Sequence, residues 1–345
     1  MKYTEEEVEI IKNNYGKRPI REWINLLPGR TLDSIQSKAK RLGLLSSVPP
    51  RNRFSKKPKY LDLKIPPEDK DIEAIWLALE NYQEKCRLLS THQDEVTIRI
   101  DTDEPIVVVF LSDLHIGAIS GYYKELRETI DILSKTDNCY IISCGDTVDN
   151  YLPTFHSTGQ FGVVCPPEIQ KALIEYLFKK LYGKLIALVQ GCHDEASHYA
   201  DDFDWTKHLA KRLECANLGF GGMVHLYVGK QVYHIMARHK YRFNSSFNVT
   251  HTVKRMREQI GDFDIGVVAH HHKASIEQTE VAGLLRLFIR PGSFKGPDRY
   301  TRQRGFTVDS KCYMPAVILY PNERKMLPFL HLRDALLVLD SLKKD

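Results

Sequence analysis

Four short polar clusters, each closing a run of β-forming residues, constrain this 345-residue chain more than any other feature. They read Ser112-Asp113-Leu114-His115, Gly145-Asp146-Thr147-Val148-Asp149-Asn150, Gly191-Cys192-His193-Asp194 and Ala269-His270-His271-His272. The runs before them, residues 106–111, 138–143, 185–190 and 264–268, are short and apolar and end in turn residues, which predicts buried strands. Carboxylates and imidazoles delivered from several strand ends to one place are what a two-metal hydrolytic site needs.

Spacing sharpens the expectation. Asp113 and His115 are two residues apart, as are His270 and His272. In extended backbone such pairs point the same way, so Asp113 and His115 are expected to grip one ion, and His270 and His272 to share a side. Gly145 permits close backbone approach, which places Asp146 to bridge two cations. His239 follows another β-like run, residues 232–237, and Arg238, Lys240 and Arg242 flank it as candidates to neutralise phosphates.

The set Asp-x-His, Gly-Asp-x-x-Asp, Gly-x-His-Asp, an isolated His and His-x-His resembles the calcineurin-like metallophosphoesterases over roughly residues 105–320. The resemblance implies a four-layer α/β sandwich, two mixed β-sheets flanked by helices, with two divalent ions at strand ends. It implies Asp113, His115, Asp146 and His272 around one ion, and Asp146, Cys192, His239 and His270 around the other. Manganese is the expected ion, with zinc, ferrous iron or magnesium as alternatives. It further implies in-line attack of hydroxide on phosphorus, with His193 oriented by Asp149 as a dyad assisting the leaving oxygen. Arg290-Pro291-Gly292-Ser293 is similar to a turn that follows the last motif in some members. Two positions depart from the pattern: Cys192 stands where the family has Asn, and Ala269 where it has Gly. A thiolate is soft and charged where an amide oxygen is hard and neutral.

Charge is uneven. Residues 1–60 hold fourteen Lys and Arg against six Asp and Glu, a net of +8, whereas the whole chain is +5. The basic character therefore belongs to the front of the chain and points to a polyanion there. Thr4 to Glu7 spells a capping box, and residues 20–27 and 32–42 read as two further helices, with Trp23, Ile24 and Leu27 and then Ile35, Ala39 and Leu42 facing inward. This front, residues 1–45, resembles Myb/SANT-like helix-turn-helix units. That implies DNA as partner, with Arg30, Gln36, Lys38, Lys40 and Arg41 as the contact set, phosphates for Arg30 and Lys40 and base edges for Gln36 and Lys38.

A basic, proline-containing linker is expected over 46–66, a connecting helix over 67–94, and the phosphoesterase domain over 95–345. The helix carries an apolar stripe of Ile72, Ile75, Trp76, Leu79, Tyr82 and Leu88, expected to pack on the next domain or to pair two copies of the chain. No run suffices for a membrane span, no leader pattern opens the chain, and seven scattered cysteines fit a reducing compartment. The expectation is a cytoplasmic enzyme of a bacterial or phage-infected cell with no membrane partner: a DNA phosphodiesterase in the vicinity of the SbcD-type nucleases. The residues leave open a phosphatase or nucleotidase acting on a small phosphoester, and a non-enzymatic DNA-binding regulator with a degenerate metal site.

Overall fold

The computed structural model describes residues 3–44, 71–89, 93–151, 162–243, 245, 247–303, 305 and 312–342. The expected linker at 46–66 and the first residues of the connecting helix, 67–70, lie outside them. Two compact units are resolved, Met1–Glu80 and Asn81–Asp345.

In the first unit, α1 (Glu5–Asn14) starts at the expected capping box: Thr4 accepts from the Glu7 amide while Glu7 accepts from the Thr4 amide. α2 (Leu32–Arg41) starts at a second box made by Thr31 and Ser34. The expected middle helix is instead two 3-10 turns, Ile20–Glu22 and Ile24–Leu26. Eight residues offer too few i to i−4 bonds to offset helix nucleation, and the tighter turn still buries Trp23 and Leu27. Ile11, Trp23, Leu27, Ile35 and Ala39 form the small core.

α3 (Ile72–Leu89) is one continuous helix. Ile72, Trp76, Leu79 and Tyr82 are all more than half exposed.

The second unit contains two six-stranded sheets. One runs β12 (Met326–Phe329), β11 (Ala316–Leu319), β2 (Ile106–Leu111), β3 (Cys139–Ser143), β4 (Leu185–Leu188), β5 (Ala216–Asn217). Pairs from β2 to β5 are parallel, and β11 is antiparallel to both its neighbours. The other runs β1 (Glu95–Ile100), β6 (Gly221–Val228), β7 (Gln231–Arg238), β8 (Ile265–Val268), β10 (Leu284–Arg290), β9 (Ser275–Val281), again of mixed sense. β2 is buried along its whole length, which is why it reads as an unbroken apolar run. Alternate residues of β2 enter different cores. Val108 and Phe110 meet Val224, Leu226, Ile235 and Val267 between the sheets. Val107 and Val109 face the helices α4 (Tyr123–Lys135), α5 (Pro167–Lys179), α7 (Trp205–Leu213) and α10 (Leu332–Leu342) through Leu126, Ile130, Phe178, Leu209 and Leu339. On the far side, α8 (His251–Ile260) covers the second sheet through Val253 and Met256 against Met236 and Phe288. The result is the four-layer sandwich, with the parallel strand ends of both sheets opening to one edge.

Candidate metal centre

The strand-end loops are zipped together by backbone. The Asp113 amide donates to the Gly145 carbonyl at 2.9 Å, and the His115 amide to the Asp146 carbonyl at 3.0 Å. Two glycines make this approach possible. A Cβ on Gly191 would lie 2.0 Å from the Asp146 nitrogen, and one on Gly145 2.8 Å from Gly191 and from His239 Nδ1. Asp113, His115, Asp146, His270 and His272 all sit at positive φ, between 45° and 75°. Asp113 and His115 thus meet in one donor group through left-handed backbone rather than the expected extension, while His270 and His272 divide between two groups. Each such residue costs about 1–2 kcal/mol, strain that persists where the surroundings over-determine it.

Two groups of donors result. Asp113, His115 and His272 bring one ligand atom each within 4.8 Å of one another, and so do Cys192, His239 and His270. In the first group His272 Nε2 lies 3.1 Å from His115 Nε2 and 3.3 Å from Asp113 Oδ1. In the second, His239 Nε2 lies 3.2 Å and Cys192 Sγ 3.9 Å from His270 Nδ1. Asp146 Oδ2 stands between them, 3.8 Å from His115 Nε2 and 3.1 Å from His239 Nε2. Asp113 Oδ1 is buried without a hydrogen-bond partner. Imidazole nitrogens that face one another beside an orphaned carboxylate oxygen fit two divalent cations sharing Asp146. All seven expected ligands are therefore brought together.

The electrostatics suit that use. Burial pushes His115 down to about 4, reinforced by the Lys295 charge, and burial with the His239 charge pushes His270 down to about 4. Both rings are then neutral donors at ordinary pH. Burial works to raise the Asp113 and Asp146 carboxyls, yet His272 beside Asp113 and His239 beside Asp146 hold both below the usual range. His239 is the converse: burial opposes its charge, but Asp146 holds it well above its ordinary value.

The surrounding layer adds detail to the expected pairing of His193 with Asp149. The Asp149 carboxylate bonds His115 Nδ1 at 2.9 Å, whereas its nearest oxygen is 4.0 Å from His193 Nδ1. His193 Nδ1 is instead 2.5 Å from the Asp149 main-chain carbonyl. Asp149 is thus the carboxylate that aims a ligand histidine, and its backbone aims His193. Burial raises the Asp149 carboxyl, but His115 and Lys295 bring it down to about 2. His239 is aimed similarly, Nδ1 lying 2.9 Å from the Cys144 carbonyl.

Three supporting groups went unassigned at the level of sequence. Lys295 is buried with Nζ 2.9 Å from Asp149 Oδ1 and 3.0 Å from Asp298 Oδ2. Asp194 accepts from the Thr147 amide and hydroxyl and from the Gly191 amide, stapling the third cluster to the second. Ser293 Oγ and the Phe294 amide both donate to the Asp113 carbonyl. Asp194 closes the Gly191-to-Asp194 cluster and Ser293 the Pro-Gly-Ser turn, so both lay inside visible signals. Lys295 lay two residues beyond one.

In the front unit Gln36, Lys40 and Arg41 are exposed on α2, and Lys38 is half-buried beside the Tyr3 ring. Arg30, expected at phosphates, has partners within the unit. Its guanidinium is forked onto the Glu7 carboxylate at 2.9 and 2.8 Å and lies over Tyr3. A basic residue after a turn is indistinguishable in sequence from one committed to an acid 23 positions earlier. Beside His239, Arg242 is tied to Gln259 and Lys240 is exposed.

Residues 106–309 match the family described as Calcineurin-like phosphoesterase. No curated protein matches the chain. Among solved structures, the NAD nucleotidase NadN of Haemophilus influenzae is similar at 9% identity and TM-score 0.35, over 66% of this chain and 50% of that one. Vps29 of Chaetomium thermophilum is similar at 16% identity and TM-score 0.32, over 65% and 92%. The sulfate thiohydrolase SoxB of Thermus thermophilus is similar at 10% identity and TM-score 0.34, over 71% and 60%. The chain spans half the length of NadN. No described helix is long and apolar enough to cross a membrane.

Proposed function

Because the chain belongs to the calcineurin-like phosphoesterase family, we propose that it is a metal-dependent phosphodiester hydrolase acting on DNA, a nuclease akin to the SbcD type. The observation that carries the hydrolytic half is the meeting of two donor groups at Asp146. Asp113, His115, Asp146 and His272 would hold one divalent ion, for which manganese is suited, and Asp146, Cys192, His239 and His270 a second. When bound, such ions would supply Lewis acidity toward water and phosphate oxygens.

The chain's own proton chemistry centres on His193. A carbonyl only accepts, so the bond to the Asp149 main chain places a hydrogen on His193 Nδ1. The exchangeable proton is then carried at Nε2, where it serves the departing oxygen. The His193 ring stands edge-on to the His115 ring, centroids 4.7 Å apart, which keeps it beside the first donor group.

The DNA half rests on the front of the chain. Gln36, Lys40 and Arg41 share the exposed side of a capped helix in a segment of net +8, suited to a phosphate backbone and a major groove. Tethering such a module to a hydrolase raises the local concentration of substrate. The exposed residues Ile72, Ile75, Leu79 and Tyr82 of α3 follow a heptad, so the same reading assigns that face to a second copy of the chain. Sedimentation of the full chain should show a dimer that Leu79→Glu dissociates.

The test is a digestion panel of single-stranded, duplex and nicked DNA beside a chromogenic phosphodiester and a phosphomonoester. Hydrolysis of DNA should require divalent metal and vanish in Asp146→Asn. Hydrolysis of the monoester alone would replace the nuclease assignment with a phosphatase. Inactivity with every ion and substrate would leave the DNA-binding regulator.

A further inference from the structure

We propose that Cys192 binds the second ion as a thiolate, so that this subsite selects a soft divalent cation, zinc or ferrous iron, while its neighbour keeps a hard-donor character. The inference rests on the two-metal reading above and adds the chemistry that separates the two positions.

The geometry places the sulfur as a ligand. Cys192 Sγ, His239 and His270 bring one atom each within 4.8 Å of one another, and His239 Nε2 lies 3.1 Å from Asp146 Oδ2. The position is set from both sides rather than left to a mobile side chain. Cys192 opens α6 (Cys192–Asp201). The residue before it, Gly191, is held by its amide on Asp194 Oδ2 at 3.0 Å and admits no Cβ against Asp146. The residue after it, His193, donates its amide to Asp146 Oδ1 at 2.8 Å. The bridging carboxylate therefore fixes the backbone that carries the sulfur. Cys144, a few residues before the bridging Asp146, is the contrast. It is fully buried just beyond β3, burial pushes its thiol up, and its carbonyl serves the site by orienting His239.

The donor sets then differ in kind. The first subsite offers two carboxylates and two imidazoles. The second offers one shared carboxylate, two imidazoles and a sulfur. Mixed sulfur and imidazole ligation at four positions is a zinc-type set, and thiolate favours zinc or iron over magnesium and manganese. An amide at this position would leave the second subsite one negative charge poorer and without a soft donor.

X-ray absorption on the full chain loaded with zinc tests the assignment without recourse to activity. The parent should show a zinc–sulfur shell at about 2.3 Å beside nitrogen and oxygen near 2.0–2.1 Å. Cys192→Asn should keep bound zinc, lose the sulfur shell, and lower the preference for zinc over manganese in competition titration. That loss should reach at least the roughly 10–100-fold that even an outer-shell partner is worth. A parent that holds two ions per chain with nitrogen and oxygen scattering alone would overturn the thiolate and leave the two-metal reading standing. A sulfur shell that survives Cys192→Asn would also overturn it. A parent that binds no divalent ion would overturn both.

Discussion

Lys295→Met should destabilise the phosphoesterase unit severely. The ammonium is 6% exposed and lies 2.9 Å from Asp149 and 3.0 Å from Asp298. At an effective dielectric of about 20, each contact is worth roughly 5–6 kcal/mol of attraction before desolvation. Burying the charges costs several kcal/mol per ion, so the pair is not a large net gain over an apolar replacement of the whole group. Removing one partner is different. Asp149 is itself 1% exposed and would keep the His115 ring at 2.9 Å and the His193 ring at 4.0 Å but no ammonium, so the loss should be about 3–5 kcal/mol. Urea unfolding of the parent, Lys295→Met, Asp149→Asn and the double variant measures it. The double should cost less than the sum of the singles by more than about 1 kcal/mol, the sign of direct contact. A single-variant cost below about 1 kcal/mol, or strict additivity, would refute the claim that Lys295 holds Asp149.

Further outcomes follow from the same contacts. Gly191→Ala should displace Asp146, costing about 1–3 kcal/mol for overpacking, and should reduce metal stoichiometry at both subsites by elemental analysis. Asp149→Asn should lower affinity at the first subsite by about 10–100-fold in calorimetric titration, because it aims His115. His193→Ala should leave metal content unchanged and slow hydrolysis of poor leaving groups by about 10²–10⁴-fold; equal rates would remove it from the chemistry. Lys40→Ala should weaken duplex binding and lower the salt slope by about 0.9 per phosphate contact, without changing the melting of the front unit. Arg30→Ala should do the reverse, lowering melting by loss of its Glu7 fork.

Most of the scaffold was legible because its strands announce themselves. A fully buried strand such as β2 must be apolar on both faces, and its polar terminus must then do something. The ligands themselves were legible as residue types at strand ends. What sequence could not convey was how they are held. Period-two reasoning joined Asp113 to His115 correctly in space but for the wrong reason, since both are left-handed. Sequence paired Asp149 with His193 but could not show that two imidazoles lie within its reach, His115 at 2.9 Å and His193 at 4.0 Å; only the fold ranks them. Arg30 and Lys40 are equivalent as charges; the difference is Glu7. The α3 stripe shows the limit of periodicity, which marks a face and not its occupant.

The provenance of the donors has a consequence of its own. Asp113, His115, Asp146 and Cys192 extend from the sheet of β2, β3 and β4, while His239, His270 and His272 extend from the sheet of β7 and β8. Each donor group takes members from both, so an ion held there is a clasp across the inter-sheet core. Its binding energy is then also cohesion of the sandwich, growing as RT ln(1 + [ion]/Kd), about 2.7 kcal/mol at a hundredfold excess over Kd. Scarcity of the ion would loosen the fold and silence the site in a single step, making the availability of metal a determinant of how long each molecule survives.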